Sequence, residues 1–109
     1  MHPEFKPSPT QLKITCGKQE WLLVCPPCEA HIRDADAEIV SKSPVSECVI
    51  ETSLRRVALE PDAVFSIEVL LGDTSIRKID GMTVADVMLT ENGHGSAVLV
   101  LKLEKLWRE

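Results

Sequence analysis

The chain has no tyrosine, and its whole aromatic complement is two Phe and two Trp in 109 residues. Proteins that grip nucleic acid use stacking rings together with a surplus of positive charge. Positive charge is also scarce: 12 Lys and Arg stand against 17 Asp and Glu, a net charge of −5. The expectation is a protein with no nucleic-acid partner. There is no run of the ~20 apolar residues that a membrane-spanning helix needs. The opening Met1-His2-Pro3-Glu4-Phe5-Lys6-Pro7 has no apolar stretch of the secretory kind. These two absences predict a soluble, cytoplasmic chain with no membrane partner. Glycine is sparse, with five residues, and none of them builds a phosphate-cradling loop. No spacing of Ser, His and Asp suggests a hydrolytic triad, so the chain reads as leaning away from enzymes.

Cysteine is too thin for a disulfide-built scaffold. The four thiols, Cys16, Cys25, Cys28 and Cys48, are expected to be free or to bind metal, because a reducing compartment disfavours bridges. A content of 44% hydrophobic and 27% charged residues is that of a folded globular chain rather than a disordered one. The length predicts one domain over residues 10–109. It is preceded by a flexible arm over residues 1–9, where Pro3, Pro7 and Pro9 disfavour regular structure.

The patterning is mainly β. Leu12, Ile14 and Cys16 alternate with polar residues, and Gly17-Lys18 has the Gly-first composition of a type II′ hairpin turn. Gln19–Cys25 returns as a second strand, ended by Pro26-Pro27. Residues 28–43 read as a helix on the strength of Ala30, Ala35 and Ala37. The competing reading is two short strands about a turn through Arg33-Asp34-Ala35-Asp36. From Val45 onward alternation predicts a strand with Cys48, Ile50 and Leu54 on one face, Glu47, Glu51 and Ser53 on the other, and a bulge near Arg55. Glu60-Pro61-Asp62 is a turn, Val64–Leu71 an apolar strand, Gly72-Asp73 a tight turn, and Ser75–Ile79 a return strand. Thr83 and Asp86 resemble a capping box, and Val84, Val87 and Met88 suggest a helix stopped by Asn92-Gly93. Ser96–Trp107 is apolar on both faces at its centre and belongs in the middle of a sheet. The predicted fold is mainly β to α+β: six or seven mostly antiparallel strands joined by tight hairpins, as a barrel or a sandwich, with one or two short helices.

One motif has chemical content: Cys25-Pro26-Pro27-Cys28. Two thiols at this spacing can share a metal or form a small-loop disulfide. A zinc site would use Cys25, Cys28, His31 and Cys48, with His31 beside Cys28 on a helical turn. Cys16 falls outside this set, roughly 20 Å from Cys25 along the hairpin at ~3.3 Å per residue. A third reading is purely structural, with each cysteine packed as a small hydrophobe. The segment Trp21–Cys28 also resembles the strand–CxxC–helix opening of thioredoxin-like proteins. That resemblance implies Cys25 as attacking thiol and Cys28 as resolving thiol. His94, between Gly93 and Gly95, is a loop histidine. Arg55-Arg56 and the acids Asp34, Asp36 and Glu38 read as solvated surface, and Trp21 and Trp107 as anchors of the core or its edge. Together these readings favour a small non-catalytic binding or interaction domain, its partner another protein or a second copy of itself. The alternatives are a zinc-stabilised domain and a thiol–disulfide redox protein.

Overall fold

A computed structural model describes residues 10–25 and 28–105. The predicted arm over residues 1–9 and the Trp107 anchor lie outside the described residues. Seven strands form one antiparallel sheet: β1 Thr10–Cys16, β2 Gln19–Cys25, β3 Glu29–Ile32, β4 Asp36–Pro44, β5 Val64–Leu71, β6 Thr74–Glu91 and β7 Ser96–Lys105. Their spatial order is β2-β1-β5-β6-β7-β4-β3. Among the described residues a single α-helix, α1 Val49–Ala58, follows one turn of 3₁₀-helix at Val45–Glu47. The sheet is not closed, so the architecture is neither the barrel nor the sandwich that the strand pattern allowed.

The β1–β2 hairpin forms in the expected register, Cys16 opposite Gln19 and Thr10 opposite Cys25. Gly17 has φ 61°, while among the described residues no non-glycine residue has positive φ, which fits the type II′ turn with its glycine first. The long strand β7 lies between β6 and β4. Its inner residues Ala97, Leu99, Leu101 and Leu103 are buried.

Residues 28–43 are two strands about a turn rather than a helix: β3 pairs with β4, Glu29 opposite Val40 and Ile32 opposite Ala37. The alanines that suggested a helix sit where side chains must be small. Ala37 is buried against the inner face, beside Leu103 of β7. The predicted strand after Val45 is instead α1, which buries Glu51, Leu54, Val57 and Ala58. Positions 51, 54 and 58 form a helical stripe. The stripe is hard to see in the sequence because it begins with a glutamate.

The predicted helix after Gly81 is the continuation of β6. Between the pairs Phe65–Met82 and Ile67–Ile79, Ser66 on β5 faces both Asp80 and Gly81 on β6. Ala85 is a second extra residue, opposite the step from Leu103 to Lys102. Each bulge brings two residues three apart onto one face. Val84 and Val87 therefore both face β7 inward residues, Leu103 and Leu101, and imitate the spacing of a helix. Met88 belongs to the opposite face and is about half exposed.

α1 lies across the inner face of the sheet, against β4, β6 and β7. It is tied to both sides of the sheet. Trp21 on β2 donates Nε1–H to Ser53 Oγ at 3.2 Å, and Ser41 on β4 donates its hydroxyl to Glu51 Oε2 at 3.2 Å. Strands β2 and β4 are far apart in sheet order, so the sheet must curl around the helix. Leu54, fully buried, is the centre of the contact, and the Trp21 and Phe65 rings meet at 6.3 Å between centroids.

The bulge at Gly81 requires φ 71°, with nothing within 4 Å of an added Cβ. Alanine at this position meets backbone strain and no clash, so Gly81→Ala should cost ~1–2 kcal/mol. Gly93, which lacks positive φ and is equally open, should tolerate alanine almost neutrally. Urea unfolding of both variants tests the contrast, and equal effects would refute the account of the bulge.

Candidate functional site

The end of β2 and the start of β3 bring Cys25 and Cys28 together. The Cys28 backbone N–H donates to Val24 O at 3.1 Å, which holds Cys28 beside Cys25 at the end of β2. Both are reduced, as are Cys16 and Cys48. The two thiols differ in access: Cys25 is half-buried and Cys28 is buried, 3% exposed.

On one side, Cys25 lines a cavity of about 310 Å³ shared with Thr10, Leu12, Ala30, Ile32, Val69 and Arg77. The cavity lies on the inner face between β1, β2, β3, β5 and the start of β6. Its floor is apolar, and its polar wall is Arg77, which reaches over to donate to Ile32 O and Asp34 Oδ1, both at 3.4 Å. On the other side of the pair, Cys28 immediately precedes Glu29, which pairs with Val40. Cys28 therefore comes abreast of Ser41, whose hydroxyl bonds Glu51. Glu51 is 2% exposed, and its Oε1 has no hydrogen-bond partner among the described residues. Burying a carboxylate oxygen without a donor is costly, and such groups are rare in folded proteins. Alternation in the sequence put Glu51 on a polar strand face. Only the helical stripe it shares with Leu54 and Ala58 could have revealed it.

Burial first, then the adjoining Cys25 thiol and the acidic Glu29 and Glu51, pushes the Cys28 thiol well above the ordinary value of 9.0. Cys28 is therefore a protonated thiol at neutral pH.

The other members of the proposed zinc quartet are elsewhere. His31 pairs with Glu38 on β4 and is exposed. It lies on the face opposite Cys28, because residues three apart on a strand point in opposite directions. Cys48 caps the start of α1 and donates its S–H to Val45 O at 3.1 Å. Among the described residues, no group of three or more His, Cys, Asp or Glu is placed to hold a metal ion. His94 is exposed in the β6–β7 loop, where its backbone N–H donates to Asn92 Oδ1 at 2.9 Å. Arg55 and Arg56 are exposed on α1 rather than on a strand. The acids pair at the surface: Asp34 with Arg77, Asp36 with Arg33 and Glu38 with Lys102. Exposed pairs of this kind are worth ~0–1 kcal/mol. Trp21 is buried, as its size suggested. No helix among the described residues is long and apolar enough to cross a membrane.

The outer edge of β2 is the second feature of note. A two-residue hairpin makes Cys16–Gln19 a hydrogen-bonded pair, and such pairs alternate along an antiparallel ladder. Gln19, Trp21, Leu23 and Cys25 therefore direct their backbone groups toward β1, and Glu20, Leu22 and Val24 direct theirs outward. The Cys28 bond to Val24 O agrees with this phase. Among the described residues no other strand pairs with this edge, and Leu22 and Val24 are 45% and 47% exposed.

The raised Cys28 thiol has a consequence for stability. The folded chain holds a proton on Cys28 that an unfolded chain loses above about its ordinary value of 9.0. The contribution is complete below that pH and shrinks as pH rises past it. The melting temperature should therefore fall above pH 9, with a shallower fall in Cys28→Ala; parallel curves would refute this. No family model matches the chain, no curated protein matches it, and no solved structure matches it.

Proposed function

We propose that this protein is a non-catalytic binding domain that recruits an extended protein segment onto the free edge of β2, with a second copy of the chain as the first such segment. The observation that supports this is the composition of that edge. Of the seven residues Gln19–Cys25, one carries a charge, Glu20, and none is lysine or proline. Edge strands that must stay unpaired are usually short or guarded by lysine, proline or a bulge. At the opposite end of the sheet, β3 is four residues long, which is the guarded form.

Strand addition would use the outward backbone groups of Glu20 and Leu22 and the Val24 N–H for affinity. The exposed Leu22 and Val24 side chains would supply the apolar contact. Antiparallel pairing of two copies about Leu22 sets Leu22 against its symmetry mate and Glu20 against Val24. No like charges then oppose each other directly.

The proposal rests on backbone groups, so its test is a backbone substitution. Leu22 has its N–H directed outward, so Leu22→Pro removes no β1–β2 ladder bond, as proline on an edge strand requires. Light scattering over a wide concentration range should show a growing dimer fraction for the wild type and a monomer for Leu22→Pro with its circular dichroism preserved. A wild type that stays monomeric throughout removes the second copy as occupant.

A further inference from the structure

Cys25 stands between an open cavity and a buried assembly of thiol, hydroxyl and carboxyl groups, and edge-strand pairing makes no use of this arrangement. The cavity of about 310 Å³ touches Cys25 but not Cys28. Behind Cys25 come the buried Cys28, then Ser41 and Glu51 with its unpartnered Oε1. Of the other hollows, the one lined by His31, Arg33, Glu38 and Lys102 is walled by charges already paired with each other. The hollow beside Cys48 adjoins a thiol already bonded to a backbone carbonyl.

We propose that Cys25 and Cys28 form a thiol–disulfide exchange site for a low-molecular-weight disulfide bound in the adjoining cavity, with Glu51 as the proton acceptor for Cys28. In the first step the Cys25 thiol gives its proton to solvent water, and the thiolate so formed attacks one sulfur of the bound disulfide R–S–S–R. A Cys25–S–S–R bond forms, and the substrate S–S bond breaks to release RS⁻, which takes up a proton from the water. In the second step Cys28 gives its S–H proton to the Glu51 carboxylate, directly or through one water. The resulting Cys28 thiolate attacks the Cys25 sulfur, expelling the second RS⁻, which takes up that proton. Two protein thiols and one small disulfide thus become one protein disulfide and two small thiols. The division of labour follows from position. Cys25 alone meets the cavity, and Cys28, shielded and held protonated, needs a nearby base before it can attack. Glu51 is that base, and its unpartnered oxygen leaves it a site to accept the proton. The cavity is near the lower limit of ~300 Å³ for small-molecule sites, which restricts R to a few heavy atoms.

The test is mass spectrometry of the full chain incubated with hydroxyethyl disulfide. The wild type should lose two hydrogens, with peptide mapping placing the bond between Cys25 and Cys28 and leaving Cys16 and Cys48 free. Cys28→Ser should accumulate a single stable hydroxyethylthio adduct on Cys25. An adduct mainly on Cys16 or Cys48, or a Cys28→Ser chain without one, overturns the proposal. Glu51→Gln should leave the first step unchanged and slow the second by about tenfold or more. Its second step should then depend steeply on hydroxide, while the wild-type step is flatter with pH. Identical pH profiles for the second step overturn the role of Glu51. If Glu51→Gln does not fold, the wild-type profile decides: a second step rising about tenfold per pH unit throughout the neutral range would show direct ionisation of Cys28 and overturn that role.

Discussion

The structure depends on one helix lying in the trough of a sheet that does not close. α1 has ten residues, too short to be stable alone in water, so the sheet must hold it. The sheet in turn needs the helix, since seven strands with one apolar face would otherwise expose that face. Leu54 supplies the apolar centre of the contact, while Trp21–Ser53 and Ser41–Glu51 fix the helix to opposite sides of the sheet. The apolar contact is non-directional. The two hydrogen bonds set the rotation of α1, because each needs one particular residue of the helix to face one particular strand.

This arrangement requires curvature, and β6 provides it. At 18 residues it is the longest strand, and a straight strand of that length could not follow a curled sheet. Its register shifts near Ile76, at Asp80–Gly81 and at Ala85 bend it toward the helix side. The cavity beside Cys25 opens where the start of β1, the end of β2, β3, the end of β5 and the start of β6 come together.

What the sequence disclosed follows from which signals are local. The β1–β2 hairpin was legible because Gly17, the alternation of Leu12 and Ile14, and the return through Trp21 and Leu23 all lie within sixteen residues. The central position of β7 was legible from its two-faced apolar core. The bulges of β6 were not, because an extra residue in a strand gives the three-residue spacing that otherwise marks a helix. α1 was missed for the complementary reason. Val49, Ile50 and Thr52 are β-branched and exposed, so local propensity favoured a strand, and only burial against distant strands decided otherwise. Among site residues, the pairing of Cys25 with Cys28 is written in their spacing. Glu51 and Ser41 are not, since they reach the thiols through the placement of α1 and the pairing of β3 with β4. The thioredoxin-like resemblance likewise failed beyond its motif: β3 follows Cys28 where that family's opening implies a helix.

The two proposed activities share a strand, and the sharing constrains both. The outward groups of β2 are those of Glu20, Leu22 and Val24, and the Cys28 N–H already occupies Val24 O. An incoming strand therefore finds its last acceptor taken by the residue whose thiol faces Cys25. A Cys25–Cys28 bond would hold Cys28 against the end of β2 and keep that acceptor occupied. With both thiols reduced, one backbone hydrogen bond, worth ~0.5–1.5 kcal/mol net, is all that an incoming strand must displace to gain one more residue of pairing. The reduced chain thus offers the longer edge and the oxidised chain the shorter one, a difference set by the chemistry at a single corner of the sheet.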